Sequence, residues 1–463
     1  MKKNLVKKNN AIQNSVKLKI VEKEDELHRL EKEIMNCKKR VKQIEESNTW
    51  KIAKPIRFLR KFSKQNDEFQ MLFERLNEAE LELSKAREEI AKLKLLDEQL
   101  NTSTIQQLMR EWKDSATLLT YLESIIEYKN KIQENYKDAL SFIGRLYMRK
   151  DDLYKHAIYK KIMSGLCIEE IPEFIIRAGL TEEAMSLERV SSYRTLLHQR
   201  MRRLQLHQSL PEWILDDKEK AYHFVDGLQI PVPKVDGKTY TVNTLPEREG
   251  IVIKPINGAG ARGVYLVHRF NHIFDVKNST ILTSLEELYS NIYNDLQSGA
   301  VHQDVWMVEE IIYENKEQLQ AARDFKFYMF YGKVGLILEI IREPEIRHCW
   351  WNNEGERVYT GKYEETLFQG IGVTENDIKM VEKLSEEIPA PFIRIDLLSS
   401  EDRLIFGEFT PKPGDYDDFN QETDQLLGDY YLKAQARLEE DFMNGKQFKA
   451  FQTLQRKDTF QLS

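Results

Sequence analysis

A chain of 463 residues exceeds what one hydrophobic core usually spans, so two or three structural units are expected. Charged residues make up 31% of it and the formal net charge is -7, a balance that gives nucleic-acid binding no support. Cys37, Cys167 and Cys349 are odd in number, far apart and without metal-type spacing, which points to reduced thiols in a cytosolic protein rather than a disulfide frame.

In chain order, residues 1–14 form a basic arm (MKKNLVKKNN at its start) with no apolar stretch behind it. No run approaches the roughly 18 apolar residues of a membrane span, so neither a signal peptide nor a transmembrane helix is expected. Residues 15–46 and 65–115 carry long-helix composition with a heptad stripe. Ile20, Leu27, Leu30, Ile34, Cys37, Val41 and Ile44 fall on the apolar positions of the first block. Phe69, Leu72, Leu76, Ala79, Leu83, Ala86, Ile90 and Leu93 form the second. A sustained 3.5-residue repeat makes a left-handed coiled coil whose seam needs a partner helix. The strict stripe favours a homo-oligomer, with parallel strands, over one helix packed on its own domain.

Between the blocks, residues 47–64 (SNTWKIAKPIRFLRKFSK) hold Pro55, which cannot continue a helix from the residues before it. Beyond it Ile56, Leu59 and Phe62 share one face while Lys54, Arg57, Arg60, Lys61 and Lys64 supply positive charge. This is either an amphipathic basic helix peripheral to an anionic membrane or a solvated break between two coils. Ser47, Thr49, Trp50, Lys51, Pro55, Ile56 and Arg57 also resemble a short element found beside coiled coils in bacterial cell-surface polysaccharide enzymes. Residues 116–210 stay helical in character and read as a globular connector without a site. His156, His198 and His207 there read as surface or packing residues.

From 211 to 440 the pattern changes. Short β-rich runs alternate with Gly, Pro, Asn and Asp clusters, and helical stretches at 284–297 and 374–388 lie between them. The fold class is α+β with antiparallel strand pairs; residues 441–463 read as a C-terminal tail.

Three segments of this region carry chemistry. In IVIKPINGAGARGVYLV (251–267) a β-branched strand delivers Lys254, followed by a loop with Gly258, Gly260 and Gly263 and then a second strand. Glycines let a backbone bring N–H groups onto phosphate oxygens, and a lysine at the strand end neutralises them. No helix follows, so this is neither a P-loop nor a dinucleotide fingerprint. In WMVEEII (306–312) Glu309 and Glu310 with the neighbouring backbone would clamp a base and ribose, unless the strand is an edge with outward charges. In FIRIDLLSSEDRLIFGEFTPKPG (392–414) two strands flank a short turn and place Asp396 and Glu408, an even number of residues apart, on one face. Two such carboxylates repel unless a cation sits between them, and Mg2+ suits one or two carboxylates plus phosphate oxygens. Arg394 shares that face and would reach a transferring phosphoryl group.

These segments in this order resemble the ATP-grasp superfamily over about residues 216–430, beginning with DKEKAYHFVDGLQIPVP at 217–233. The resemblance implies ATP and Mg2+ as cofactors, with Lys218 and Lys254 on the phosphates, Gly258 to Gly263 as a flap and Glu309 on adenine. It implies Asp396 and Glu408 on Mg2+, and Arg394 stabilising an acyl-phosphate stage. The usual third metal position, an Asn, is Thr410 here, so the third ligand is Thr410, water or absent. DFKFYMFYGKV (324–334), IIRE (340–343) and GEFTPKPG (407–414) resemble the teichuronopeptide-biosynthesis (TupA-like) branch, which also carries Thr there. That likeness adds Asp324 and Lys326 on the substrate–phosphate side and Arg342 toward the terminal phosphate or the acceptor's anion. His348 beside Trp350 and Trp351 reads as a hairpin's aromatic cluster rather than a sugar-stacking site.

The leading expectation is therefore an ATP-dependent carboxylate–amine ligase in bacterial cell-surface polysaccharide biosynthesis. It would take a small-molecule or glycan carboxylate and an amine donor, and sit in the cytoplasm, at most peripheral to the inner face of the plasma membrane. Two other readings stand beside it: an ATP-grasp kinase acting on a sugar hydroxyl, and a non-catalytic coiled-coil scaffold.

Overall fold

The computed structural model describes all residues except 1, 47–63, 98–105, 107–109, 111–117, 150–152, 182–185, 189, 258–259, 402 and 461–463. It divides into two compact units, Met1–Ile158 and Tyr159–Ser463. The basic Pro55 segment expected at 47–64 thus lies, up to residue 63, outside the described residues.

The first unit is helical: α1 (Lys2–Glu46), α2 (Lys64–Asp97), α3 (Leu118–Tyr147) and the start of α4 (Leu153–Met163). The two heptad blocks meet each other. Ile34 and Cys37 of α1 are buried with Leu76 and Ala79 of α2, Leu72 and Leu83 flank them, and Leu30 and Ala86 are buried as well. Lys38 pairs with Glu80 at 2.8 Å and Glu31 with Arg87 at 2.9 Å, so a step of seven up one helix is a step of seven down the other. The pair is antiparallel. The seam expected to seek a second chain therefore finds its partner helix in the same chain, because each block supplies one half of it. Exposed ion pairs add about 0.2–1 kcal/mol each, whereas each buried apolar side chain adds about 1.5–3 kcal/mol, so the seam carries the association. Helix α1 begins at Lys2 and takes in the stretch expected as a separate arm. No helix among the described residues is long and apolar enough to cross a membrane.

The second unit opens with α5 (Glu173–Thr181), α6 (Tyr193–Gln205), α7 (Pro211–Ile214) and α8 (Lys218–Gly227). A six-stranded antiparallel sheet follows, built from β1 (Val235–Tyr240), β2 (Ile251–Pro255), β3 (Tyr265–Arg269), β4 (His272–Asp275), β5 (Thr280–Leu282) and β6 (Trp306–Glu310). Its order is β1-β6-β2-β3-β4-β5. Helix α9 (Leu285–Gln297) covers one face, its Leu288 and Ile292 packed with Ile251, Ile253, Val267 and Trp306 in a core of their own. The hairpin of β7 (Tyr313–Asn315) and β8 (Gln320–Ala321) then leads into a second antiparallel sheet. That sheet comprises β9 (Asp324–Met329), β10 (Val334–Ile341), β11 (Arg347–Trp351), β12 (Ile393–Ser399) and β13 (Leu404–Thr410), in the order β11-β10-β9-β12-β13. Its core side is packed with α6, α8, α10 (Glu375–Glu386), α11 (Gln421–Met443) and α12 (Lys449–Phe460).

Strand alternation decides what reaches the cleft. Phe325 and Phe327 of β9, Ile395 and Leu397 of β12, and Phe406 and Phe409 of β13 turn into the main core, leaving Asp324, Lys326, Asp396 and Glu408 on the opposite face. Two expected boundaries shift. The stretch read as one connector is divided at 158/159, and Tyr193 and Leu197 of α6 lie fully inside the main core, with Tyr193 edge-on to Phe392 at 5.1 Å. The expected tail also belongs to that core: Phe448, Phe451 and Leu454, at spacings of three, are buried on it.

Candidate active site

Between the two sheets lies a cavity of about 450 Å³, within the range of small-molecule sites. Its wall on the six-stranded side is set by register. Lys254 pairs with Met307 and Val252 with Glu309, so Lys254 and Glu309 share the cleft face of β2 and β6. Their side chains meet at 2.5 Å. Glu309 is 6% exposed, and its second oxygen, Oε2, is buried without a hydrogen bond, a costly state that a ligand's donor would relieve. Glu310, one residue on, faces the other way and accepts the Lys234 amide at 3.0 Å, while still edging the cavity. The expected clamp thus rests on one carboxylate.

Lys218 is the first residue of α8, whose N-cap is Asp217, accepting from the Lys220 amide at 3.0 Å. It lines the cavity, and burial together with the nearby Lys254 charge lowers its ammonium from the ordinary lysine value. A lysine whose charge is opposed by burial and by a neighbouring lysine calls for an anion. Gly260 also lines the cavity. Gly263 stands just outside it with φ +70, where a Cβ would lie 2.7 Å from Val301 Cγ2. Gly258 lies outside the described residues.

The floor is the five-stranded sheet. Asp396 stands directly opposite both Glu408 on β13 and Lys326 on β9. A bulge beside Gly407 shifts the register just past this pair, a device that re-aims side chains near functional sites. Asp396 is 3% exposed and accepts Arg394 Nε and Nη2, each at 2.6 Å, as well as Lys326 Nζ. Lys326 also pairs with Asp324 at 2.9 Å, and Arg342 reaches Asp324 at 2.5 Å. Burial by itself would raise the Asp324 carboxyl, but Lys326 and Arg342 outweigh it and hold it at about 2. Glu408 behaves oppositely. Enclosure and the Asp396 charge raise its carboxyl, although 48% of its side chain is open, because that opening gives onto the cleft and not onto bulk water.

That pair tests whether Mg2+ fits. Two carboxylates sit opposite each other, and one is pushed toward its neutral form partly by the other. A divalent cation would reverse this. Among the described residues no group of three or more His, Cys, Asp or Glu side chains is arranged to hold a metal; Mg2+ bound by this pair would take its remaining ligands from phosphate and water. Thr410 is engaged elsewhere, its hydroxyl accepting Arg394 Nη2 at 3.0 Å. Arg394 is itself nearly buried and bound to Asp396, so it lies behind the carboxylate and not on the cavity wall. Parity puts it on the same face as Asp396, and that carboxylate captures it.

Several participants were not singled out in the sequence. Tyr222 lines the cavity one helical turn after Lys218, a spacing that could have flagged it, and burial with the Glu309 and Glu408 charges raises its hydroxyl. Glu339, wholly buried, accepts Arg323 at 2.7 Å, Trp351 at 3.0 Å and the Gly372 amide at 3.0 Å, and Arg323 also grips Glu314 at the cavity edge. His348 stacks on Tyr363 with centroids 4.1 Å apart, and burial beside Arg342 lowers its imidazole to about 4. With Trp350 1% exposed, this is packing.

A family model described as TupA-like ATP-grasp matches residues 196–432. No curated protein matches the chain. Among solved structures, D-alanine–D-alanine ligase from Bacillus anthracis is similar at 15% identity and a TM-score of 0.30, over 49% of this chain and 70% of that one. The ATP-grasp ligase PsnB, complexed with minimal precursor, Mg and ADP, is similar at 10% identity and a TM-score of 0.28, over 48% and 60%. An ATP-grasp RimK domain protein from Sphaerobacter thermophilus gives 7%, 0.28, 48% and 67%.

Proposed function

The chain belongs to the TupA-like ATP-grasp family, whose members combine an ATP-grasp fold with ATP and Mg2+ in ligase- or kinase-type reactions, and from that premise we propose that it is a carboxylate–amine ligase working through an acyl phosphate. When bound, ATP supplies the phosphoryl group and Mg2+ offsets its charge. Asp396 and Glu408 would hold the metal. Lys218 and Lys254 neutralise the phosphates, and Glu309 Oε2 accepts a donor from the nucleoside. Lys326 and Arg342 face the charge that develops during transfer, the main task in phosphoryl chemistry. Arg394 keeps Asp396 in orientation. An amine then attacks the activated carbonyl: the C–N bond forms, the C–O bond to phosphate breaks, phosphate leaves and the amine loses a proton.

The observation that carries this reading is that the paired Asp396 and Glu408 line one cleft together with Lys218, Lys254 and Lys326. The sequence element at 47–57 and the family suggest a uronate-bearing surface glycan as the carboxylate and an amino acid as the amine. A screen of ADP release against nucleotide-sugar uronates paired with amino acids tests it. Release that requires both partners is expected, and release with a uronate-free sugar alone would point to a kinase. The proposal also keeps a peripheral membrane contact through 47–64. Co-sedimentation with anionic liposomes checks it, and equal pelleting after the Lys and Arg residues of 54–64 are neutralised would remove it.

A further inference from the structure

The six-stranded sheet is inserted between α8 and β9 and joined to the rest of its unit by residues 228–234 and 311–323. A sheet hung on two connectors needs something to set its angle over a ligand. His268 on β3, His272 on β4, Tyr313 on β7 and Glu343, two residues past β10, come from four elements and meet at one place. His272 Nε2 lies 3.1 Å from Glu343 Oε1. His268 Nε2 lies 3.4 Å from Glu343 Oε2, and its Nδ1 lies 3.3 Å from the Tyr313 hydroxyl. These contacts tie strands of the six-stranded sheet to the five-stranded one, beside Arg342 and along the cavity wall that includes His272 and Glu343.

The two histidines are not equally engaged. The His272 distance is that of a formed hydrogen bond. The His268 side chain has no exposure, and its Nε2 is buried without a hydrogen bond. A buried ring nitrogen left so close to a carboxylate is costly, and a shift on the order of half an ångström would complete the bond. Burial would raise the Glu343 carboxyl, yet the two imidazoles outweigh it and hold it below the usual glutamate value, so the carboxylate is poised as an acceptor.

We propose that His268, His272 and Glu343 are positioning residues that brace the six-stranded sheet over bound nucleotide, with His272 engaged beforehand and His268 completing its bond as the sheets draw together. The brace rests on the cleft being the nucleotide site. It makes nucleotide affinity, rather than the stability of the free protein, the quantity these residues control.

Isothermal titration of the full chain with Mg-ADP tests this, using Glu343→Gln, His268→Phe, their double variant and the partly exposed His272→Gln. Glu343→Gln and His268→Phe should each weaken binding about tenfold, the measure of one charge-assisted hydrogen bond. The double variant should weaken it little further, and His272→Gln should act in the same direction. Thermal midpoints without nucleotide should move little. If the wild type binds Mg-ADP and Glu343→Gln and His272→Gln bind it equally tightly, the brace is overturned and the cleft assignment stands. Should the wild type bind no Mg-ADP, both fall.

Discussion

Glu408→Gln keeps the size of the side chain and removes its charge, at a position where the nucleotide-free fold takes little from that charge. The carboxylate accepts no hydrogen bond from the described residues, and its closest cation, Arg394, is 3.9 Å away. Burial and the opposed Asp396 raise its carboxyl above the ordinary value. A raised carboxyl contributes stability that is present below its unfolded value and lost as pH rises through its folded one. Glutamine abolishes that loss, so at neutral pH the variant should be as stable as the wild type or slightly more so. With half the side chain open to the cleft, solvent screens most of that gain. Activity should move the other way. Losing one of the two carboxylates proposed to hold the metal is expected to lower Mg2+-dependent ADP release about 100- to 1,000-fold, equivalent to about 3–4 kcal/mol of charge stabilisation. Urea unfolding without nucleotide, alongside ADP release titrated with Mg2+, reads both. Wild-type Mg2+ dependence in the variant, or a free protein destabilised by several kcal/mol, would refute the reasoning.

Asp396→Asn should instead damage fold and function together. It removes an acceptor from Arg394 and Lys326 where both are largely buried, at about 3 kcal/mol in urea unfolding; a change under about 1 kcal/mol would mean the pair is more solvated than its burial implies. Asp324, held at about 2 against an ordinary 3.8, contributes stability present above the ordinary value and lost as pH falls from about 4 to about 2. Asp324→Asn should flatten that acid limb by about 2 kcal/mol, and an unchanged limb would contradict the assignment. Gly263→Val puts a β-branched side chain at φ +70 against Val301. It should cost about 1–3 kcal/mol and weaken Mg-ADP binding, both absent if the loop simply rearranges.

Much of the cleft was legible because strand parity is a local rule. The spacing of Asp396 and Glu408 put both on one face, and the structure pairs them directly. Alternation likewise separates Glu309 from Glu310. What parity does not contain is which neighbour takes a side chain first: Arg394 shares the face yet is captured by Asp396, and Thr410 by Arg394. The heptad blocks show a similar limit. Their repeat states that a partner helix is required but carries no sign of whether it belongs to the same chain, and α1 and α2 satisfy one another. Phe448, Phe451 and Leu454 form so short a stripe in a polar segment that only the core they fill reveals it. His268 and Glu343 lie on elements far apart in sequence, and no local pattern joins them.

The proposed function requires this cleft to activate a carboxylate. The most direct measurement incubates the full chain with Mg-ATP, a uronate-bearing acceptor and hydroxylamine in place of the amine, and analyses the product by mass spectrometry. A hydroxamate of the acceptor, formed in step with ADP and lost in Glu408→Gln, is the predicted result. A stable phosphosugar with no hydroxamate would contradict it and assign the chain a kinase reaction.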